Sequence, residues 1–131
     1  MSARRVVVSQ RVARQTLPIS SAVIAGDLVF LSGHVGFRKD RSFAKGDFRA
    51  QARQALENIK TVLEDCGTSL ERVVKVNVVI TRVEDFAAFN EIYREYFGEG
   101  NYPARATHVA GLVNPDLLVE VECVAQLPSH G

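Results

Sequence analysis

From Leu117 to Leu127 every second residue is apolar, so Leu117, Val119, Val121, Cys123, Ala125 and Leu127 fall on one side of an extended chain. Leu118, Glu120, Glu122, Val124 and Gln126 fall on the other, where two carboxylates stand among apolar residues. The same period over Val73 to Thr81 predicts a strand with Val74, Val76, Val78 and Ile80 on one face and Val73, Lys75, Asn77 and Val79 on the other. Arg4 to Ser9 predicts a short first strand. Ala22 to Ile24 and Leu28 to His34 predict a hairpin turning at Ala25, Gly26 and Asp27. In its second arm Leu28, Phe30, Ser32 and His34 share one face, opposite Val29, Leu31, Gly33 and Val35. Tyr102 and Pro103 lead into a further short strand, which Gly111, Asn114 and Pro115 end.

Two stretches follow the helical period instead. From Asp47 to Cys66, the residues Phe48, Ala52, Ala55, Leu56, Ile59, Leu63 and Cys66 form an apolar stripe, with Asp47 placed to cap the start and Gly67 to stop the end. Glu84 to Phe97 predicts a second helix that buries Phe86, Phe89, Ile92, Tyr93, Tyr96 and Phe97. Phe37 to Gly46 is rich in Arg, Lys, Asp and Gly and predicts a loop.

Strands, helix, strand, helix and two strands describe an α+β domain with two helices on one face of a mixed sheet, spanning residues 1–131. The other face then carries Val73, Val79, Leu118 and Val124 beside Lys75, Asn77, Glu120 and Glu122. Helices on the opposite side cannot cover those apolar residues, so the pattern predicts a homo-oligomer that buries this face.

Composition narrows the function classes. A net charge of +1 over 131 residues gives no basis for nucleic-acid or anionic-membrane binding. Arg4, Arg5, Arg11 and Arg14 read as a solvated end, because no basic stripe continues them. No apolar run is long enough to span a bilayer, and the start MSARRVVVSQ lacks the features of a secretory signal. Cys66 and Cys123 form no disulfide framework or zinc pattern; Cys66 lies on the apolar helix stripe, and a reducing, cytoplasmic setting is expected.

Arg105 is the one cation between Tyr102 and Leu127. Its planar fork suits a carboxylate ligand, and a glutamate nearby suits holding a water. If the two last strands lie close, Arg105 and the glutamates can meet. Two readings are open: chemistry on a small carboxylic acid, or a structural Arg–Glu pair at a subunit contact. No serine has His and Asp at a recognisable motif spacing, and the histidines lack ligand spacing, so neither a hydrolase triad nor a metal site is expected.

The ordered set of segments is more specific than any one residue. DLVFLSGHVG at 27–36, QARQALENIKTVLEDCG at 51–67, VVKVNVVI at 73–80, DFAAFNEIYREYF at 85–97, then YPAR and GLVNPDLLVEVE, resembles the reactive-intermediate deaminase (Rid, or YjgF) family, older name endoribonuclease L-PSP. The resemblance runs from about Pro18 to Leu127. It implies a chorismate mutase-like β-β-β-α-β-α-β-β domain, a trimer with ligand sites between subunits, and hydrolysis of imino or enamino acids to 2-oxo acids and ammonia with no cofactor. It further implies that Arg105 grips the substrate carboxylate, that Glu120 positions the water, that the Thr107 backbone donates near the reacting centre, and that Gly33 allows close approach. A cation nearby would keep Glu120 ionised as a base.

Three positions depart from the family's pattern. Ile19 stands where a cleft tyrosine is usual, Thr107 where a cysteine is usual, and His34 where a glutamine is usual. His34 is expected at the cleft, able to tune the reaction near neutral pH. His108 is expected to face away from Arg105, toward the helices or a strand edge. Two other readings of the same chain are a non-catalytic small-carboxylate-binding module and an endoribonuclease; few stacking aromatics outside the helices argue against the latter.

Overall fold

A computed structural model of the chain describes residues 3–128, so the extreme ends of the expected domain lie outside the described residues. The first long helix, α1 (Phe48–Asp65), begins where Asp47 accepts a hydrogen bond from the Ala50 N–H at 3.0 Å. It ends at Gly67, whose φ of +84° is open to glycine and strained for other residues. The second, α2 (Phe86–Phe97), follows a single 3-10 turn at Val83–Asp85.

The strands are β1 (Arg5–Val7), β2 (Ala22–Ala25), β3 (Leu28–Leu31), β4 (His34–Val35), β5 (Val73–Ile80), β6 (Ala104–Val109) and β7 (Val119–Gln126). They form one sheet in the order β1-β2-β3-β7-β5-β6, with β4 pairing to β7. Only β5 and β6 run parallel, and α2 is the crossover that a parallel pair requires. Both helices cover one face. Leu56, Ile59 and Leu63 of α1 and Phe89 and Ile92 of α2 are fully buried with Val29, Val76, Val78, Ile80, Val119 and Val121 of the sheet. This is the predicted α+β class with helices on one face of a mixed sheet.

Two irregularities change which residues face the helices. Phe30 pairs with Val124, while His34, four residues on, pairs with Val121, three residues back. One extra residue between β3 and β4 breaks the predicted single arm and reverses its alternation. His34 therefore points to the helix side with Val121 and is buried, not onto the face of Phe30. The second shift lies between Val73 and Lys75 of β5. It turns Val73 into the core and leaves Val74 exposed, the reverse of the strict alternation expected. On α2, Phe89, Ile92 and Tyr93 are buried and Tyr96 and Phe97 half-buried, whereas Phe86 is 42% exposed.

Candidate functional site

β6 is an edge strand, and its register decides where Arg105 goes. Arg105 pairs with Val76 and Thr107 with Val78, both core residues beneath the helices. Arg105 thus lies on the helix side, at the sheet margin. Its guanidinium carbon sits 4.7 Å from the Tyr93 ring centre, 5.5 Å from that of Phe89 and 5.9 Å from that of Phe86. Electron-rich ring faces attract a cation, and here three of them share one. The Arg105 Nη2 donates to Asn90 Oδ1 at 2.7 Å. A cavity of about 210 Å³ opens there, lined by Asn90, Tyr93, Arg94, Tyr102 and Arg105. The Tyr93 hydroxyl beneath it is buried without a hydrogen-bond partner among the described residues, and burial pushes its pKa up to about 12, with the Arg105 charge pulling the other way.

This cradle is legible only in part from the sequence. The helical period puts Phe89 and Tyr93 on the buried side of α2 and does not single out Asn90. Its signal is its place beside Phe86, Phe89 and Tyr93 at helical spacing, an amide inside an aromatic stripe.

Glu120 lies on the opposite face of the sheet. It pairs with Val79 of β5 and Val35 of β4, and Val79 pairs in turn with His108 of β6. β5 runs between β6 and β7, so the two last strands are not neighbours, and Arg105 and Glu120 of one chain do not meet. That corrects the expectation that Arg105 reaches the carboxylate face. Among the described residues of one chain no ion-pair partner stands beside Glu120. Burial, and secondarily the charge of Glu122, raise the Glu120 pKa above the ordinary carboxyl value. Glu122 instead accepts a hydrogen bond from Asn77 at 3.1 Å.

A pocket of about 580 Å³ opens at Glu120, and Ile19, Gly33, His34 and Val35 line it too. Gly33 is needed there: a Cβ on it would stand 2.6 Å from Glu120 Cδ and 2.8 Å from Oε1. The close approach that this glycine permits is thus to the glutamate. Two buried amides of α1 hold the pocket rim. Asn58 Nδ2 donates to the carbonyls of Val35 and Phe37 at 3.0 and 2.8 Å. Gln51 donates to the carbonyls of Ala44 and Asp116 and accepts from the Leu118 N–H at 2.9 Å. Neither amide lay on the predicted apolar stripe; polar residues within a helix carry no sequence mark of the loops they will bind.

Of the six predicted site residues, the structure brings Ile19, Gly33, His34 and Glu120 to one pocket and leaves Arg105 and Thr107 on the other side of the sheet. His34 reaches the pocket wall from the buried side, its Nε2 3.3 Å from the Ser21 carbonyl. Burial lowers its pKa below 6.5, so it is a neutral structural group rather than one that titrates near neutral pH. His108 faces away from Arg105 as expected, but onto the open face in register with Glu120, and is exposed. The Ala110 N–H donates to the Ile80 carbonyl, and N–H directions alternate along a strand. The Thr107 N–H therefore points out from the free edge of β6, near Arg105, available to a ligand.

Among the described residues no cluster of three or more His, Cys, Asp or Glu could hold a metal ion, and no helix is long and apolar enough to cross a membrane.

Comparison with known proteins places these features in a family. Residues 10–127 match the family described as Endoribonuclease L-PSP. RutC family protein PH0854 of Pyrococcus horikoshii is 39% identical over 123 residues, 93% of this chain and 97% of its own. The crystal structure of RidA from an Antarctic Psychrobacter superposes with a TM-score of 0.87 at 36% identity, covering 94% of this chain and 99% of that one. Escherichia coli TdcF with bound serine gives a TM-score of 0.87 at 32% identity over 95% and 99% of the two chains. Sheet order, helix placement and motif order thus agree with a match across nearly the whole sequence, and the chain belongs to the endoribonuclease L-PSP family that its motifs resemble and that includes the Rid proteins.

Proposed function

We propose that this protein hydrolyses reactive imino or enamino acids to 2-oxo acids and ammonia, in a cleft formed between two copies of the chain. The observation that carries the reading is the division of the chemistry between the two faces. Arg105 offers a fixed cation at the sheet edge, and Glu120 offers a half-buried carboxyl in a pocket, with no hydrogen-bond or ion-pair partner among the described residues. A site that uses both needs one residue from each of two copies. The apolar residues left on the open face, Phe30, Leu118 and Val124, supply the surface for that association, and a closed trimer is the form we favour.

In this reading Arg105 takes the substrate carboxylate by two parallel N–H donations. The cation beside Glu120 restores it to the ionised form, able to accept a proton from water. Water oxygen adds to the imine carbon, and the nitrogen takes a proton as the C=N double bond becomes single. The C–N bond then breaks, ammonia leaves and the carbonyl of the 2-oxo acid forms. An enamine first takes a proton on carbon and gives one up from nitrogen to become the imine. The outward Thr107 N–H would hydrogen-bond the oxygen or nitrogen at the reacting carbon. Imines hydrolyse unaided, so orientation and one base supply enough acceleration.

The test is the loss of 2-iminopropanoate and 2-iminobutanoate, made in place by an amino-acid oxidase and trapped with semicarbazide. Wild type should accelerate it, and Arg105→Ala and Glu120→Gln should abolish the effect while the oligomer persists. An unchanged rate in Arg105→Ala would sink the proposal. The serine bound in the TdcF structure favours a second reading, a non-catalytic module for small amino or carboxylic acids. Thermal stabilisation by such ligands without turnover, lost in Arg105→Ala, would select it. The ribonuclease in the family's description would require RNA binding that weakens steeply with salt, and a net charge of +1 gives it little support.

A further inference from the structure

The pocket at Glu120 is larger and more apolar than the smallest imino acids need. At about 580 Å³ it lies within the roughly 300–1,000 Å³ range of pockets that enclose ligands of many atoms. Leu17, Ile19, Val35, Phe37, Leu112 and Leu117 supply much of its wall. Leu17 is 65% exposed and Ile19 45%, apolar surface on the pocket lining that the described residues leave open.

Of the polar side chains on the lining, His34, Arg41, Asn58 and Asn114 have partners elsewhere, and Gln15, Thr16 and Glu120 face the pocket without one among the described residues. The Asn58 amide nitrogen serves the Val35 and Phe37 carbonyls, and Asn114 Oδ1 accepts from the Asp116 N–H. Arg41, the one cation among the lining residues, lies over the Phe37 ring at 4.8 Å and donates to the Arg14 carbonyl at 2.6 Å. An acidic substrate side chain would meet Glu120 with its own sign of charge and find that cation engaged. A methyl group would leave most of the walls in contact with water. A branched aliphatic or aromatic side chain would cover them, and burying apolar surface is what favours binding in such a place.

We infer that the preferred substrates are imino acids with a bulky apolar side chain, leucine- or phenylalanine-like, held in this pocket with the reacting carbon at Glu120. The inference rests on the deaminase reading. Its test is a side-chain series: imines generated by an amino-acid oxidase from alanine, leucine, phenylalanine and glutamate, each trapped with semicarbazide, with kcat/KM measured for each. One methylene in an apolar pocket discriminates by about tenfold or more, so the leucine and phenylalanine imines should exceed the alanine imine by at least about that factor, and the glutamate imine should be poorest. In Leu112→Ser the ratio of leucine to alanine imine should fall several-fold, with the melting temperature and oligomer retained.

Acceleration of the alanine imine with no preference for the bulky ones would overturn this inference and leave the deaminase reading standing. So would a leucine-to-alanine ratio that is unmoved in Leu112→Ser. Acceleration of none of the four would overturn the deaminase reading itself, and the inference with it.

Discussion

Arg105 and Glu120 stand on opposite faces of the same sheet, separated by β5. Strand register enforces the separation: Arg105 aligns with the buried Val76, and Glu120 with Val79 on the open side. A reaction that needs both therefore draws them from different copies. Arg105→Ala and Glu120→Gln chains, each inactive alone, should regain activity when refolded together. With random assembly about a quarter of the clefts would hold an intact pair. Imine hydrolysis in the mixture measures this, and no recovery with proven subunit exchange would refute a shared cleft.

Gly33 keeps Glu120 where it is. A methyl group there overlaps the carboxyl group, the far end of a flexible side chain, so the glutamate would move rather than the sheet. Gly33→Ala should reduce kcat/KM roughly ten- to a hundredfold, the scale of an ångström-size misplacement, with little loss of thermal stability. Imine trapping and a melting curve on one preparation separate the two effects.

Asn90 holds one arm of Arg105 over its aromatic bed. Removing the acceptor in Asn90→Ala leaves the cation attached but free to swing. KM should rise about tenfold or more, about 1.4 kcal/mol, close to the low end of the range for a hydrogen bond to a charged group, and kcat should change less. Equal losses of kcat and kcat/KM with KM unchanged would assign Asn90 to another role.

His34 gives a pH signature. Burial depresses its pKa, so the folded protein keeps the ring neutral while the unfolded chain binds a proton near pH 6.5. The unfolded state then carries more protons, and stability falls as the pH drops below about 6.5 until the folded pKa is reached. Denaturant midpoints at pH 7.5 and 5.5 should differ for wild type, and the difference should shrink in His34→Gln. A difference of the same size in both would place the titrating group elsewhere.

The linear pattern by itself determined the helices, most of the strands and the apolar face of β7, because helical and extended periods are properties of a few neighbouring residues. Asp47 and Gly67 bound α1 for the same local reason. The motif order carried the family, and the exclusive use of Arg105 as the cation near the end of the chain marked it as a candidate. Only the tertiary structure decided which residues meet. One extra residue between Phe30 and His34 turned His34 to the helix side, so that it reaches the pocket wall from the core, and the shift at Val73 exchanged it with Val74. Neither irregularity breaks the alternation of letters. Each arises where a strand must fit a partner distant in the chain. Likewise, nothing near Arg105 in sequence tells that β5 intervenes before Glu120, or that Asn90 and Tyr93 receive the guanidinium. Those facts follow from strand order and register, which are set by packing the whole sheet under two helices rather than by any local pattern.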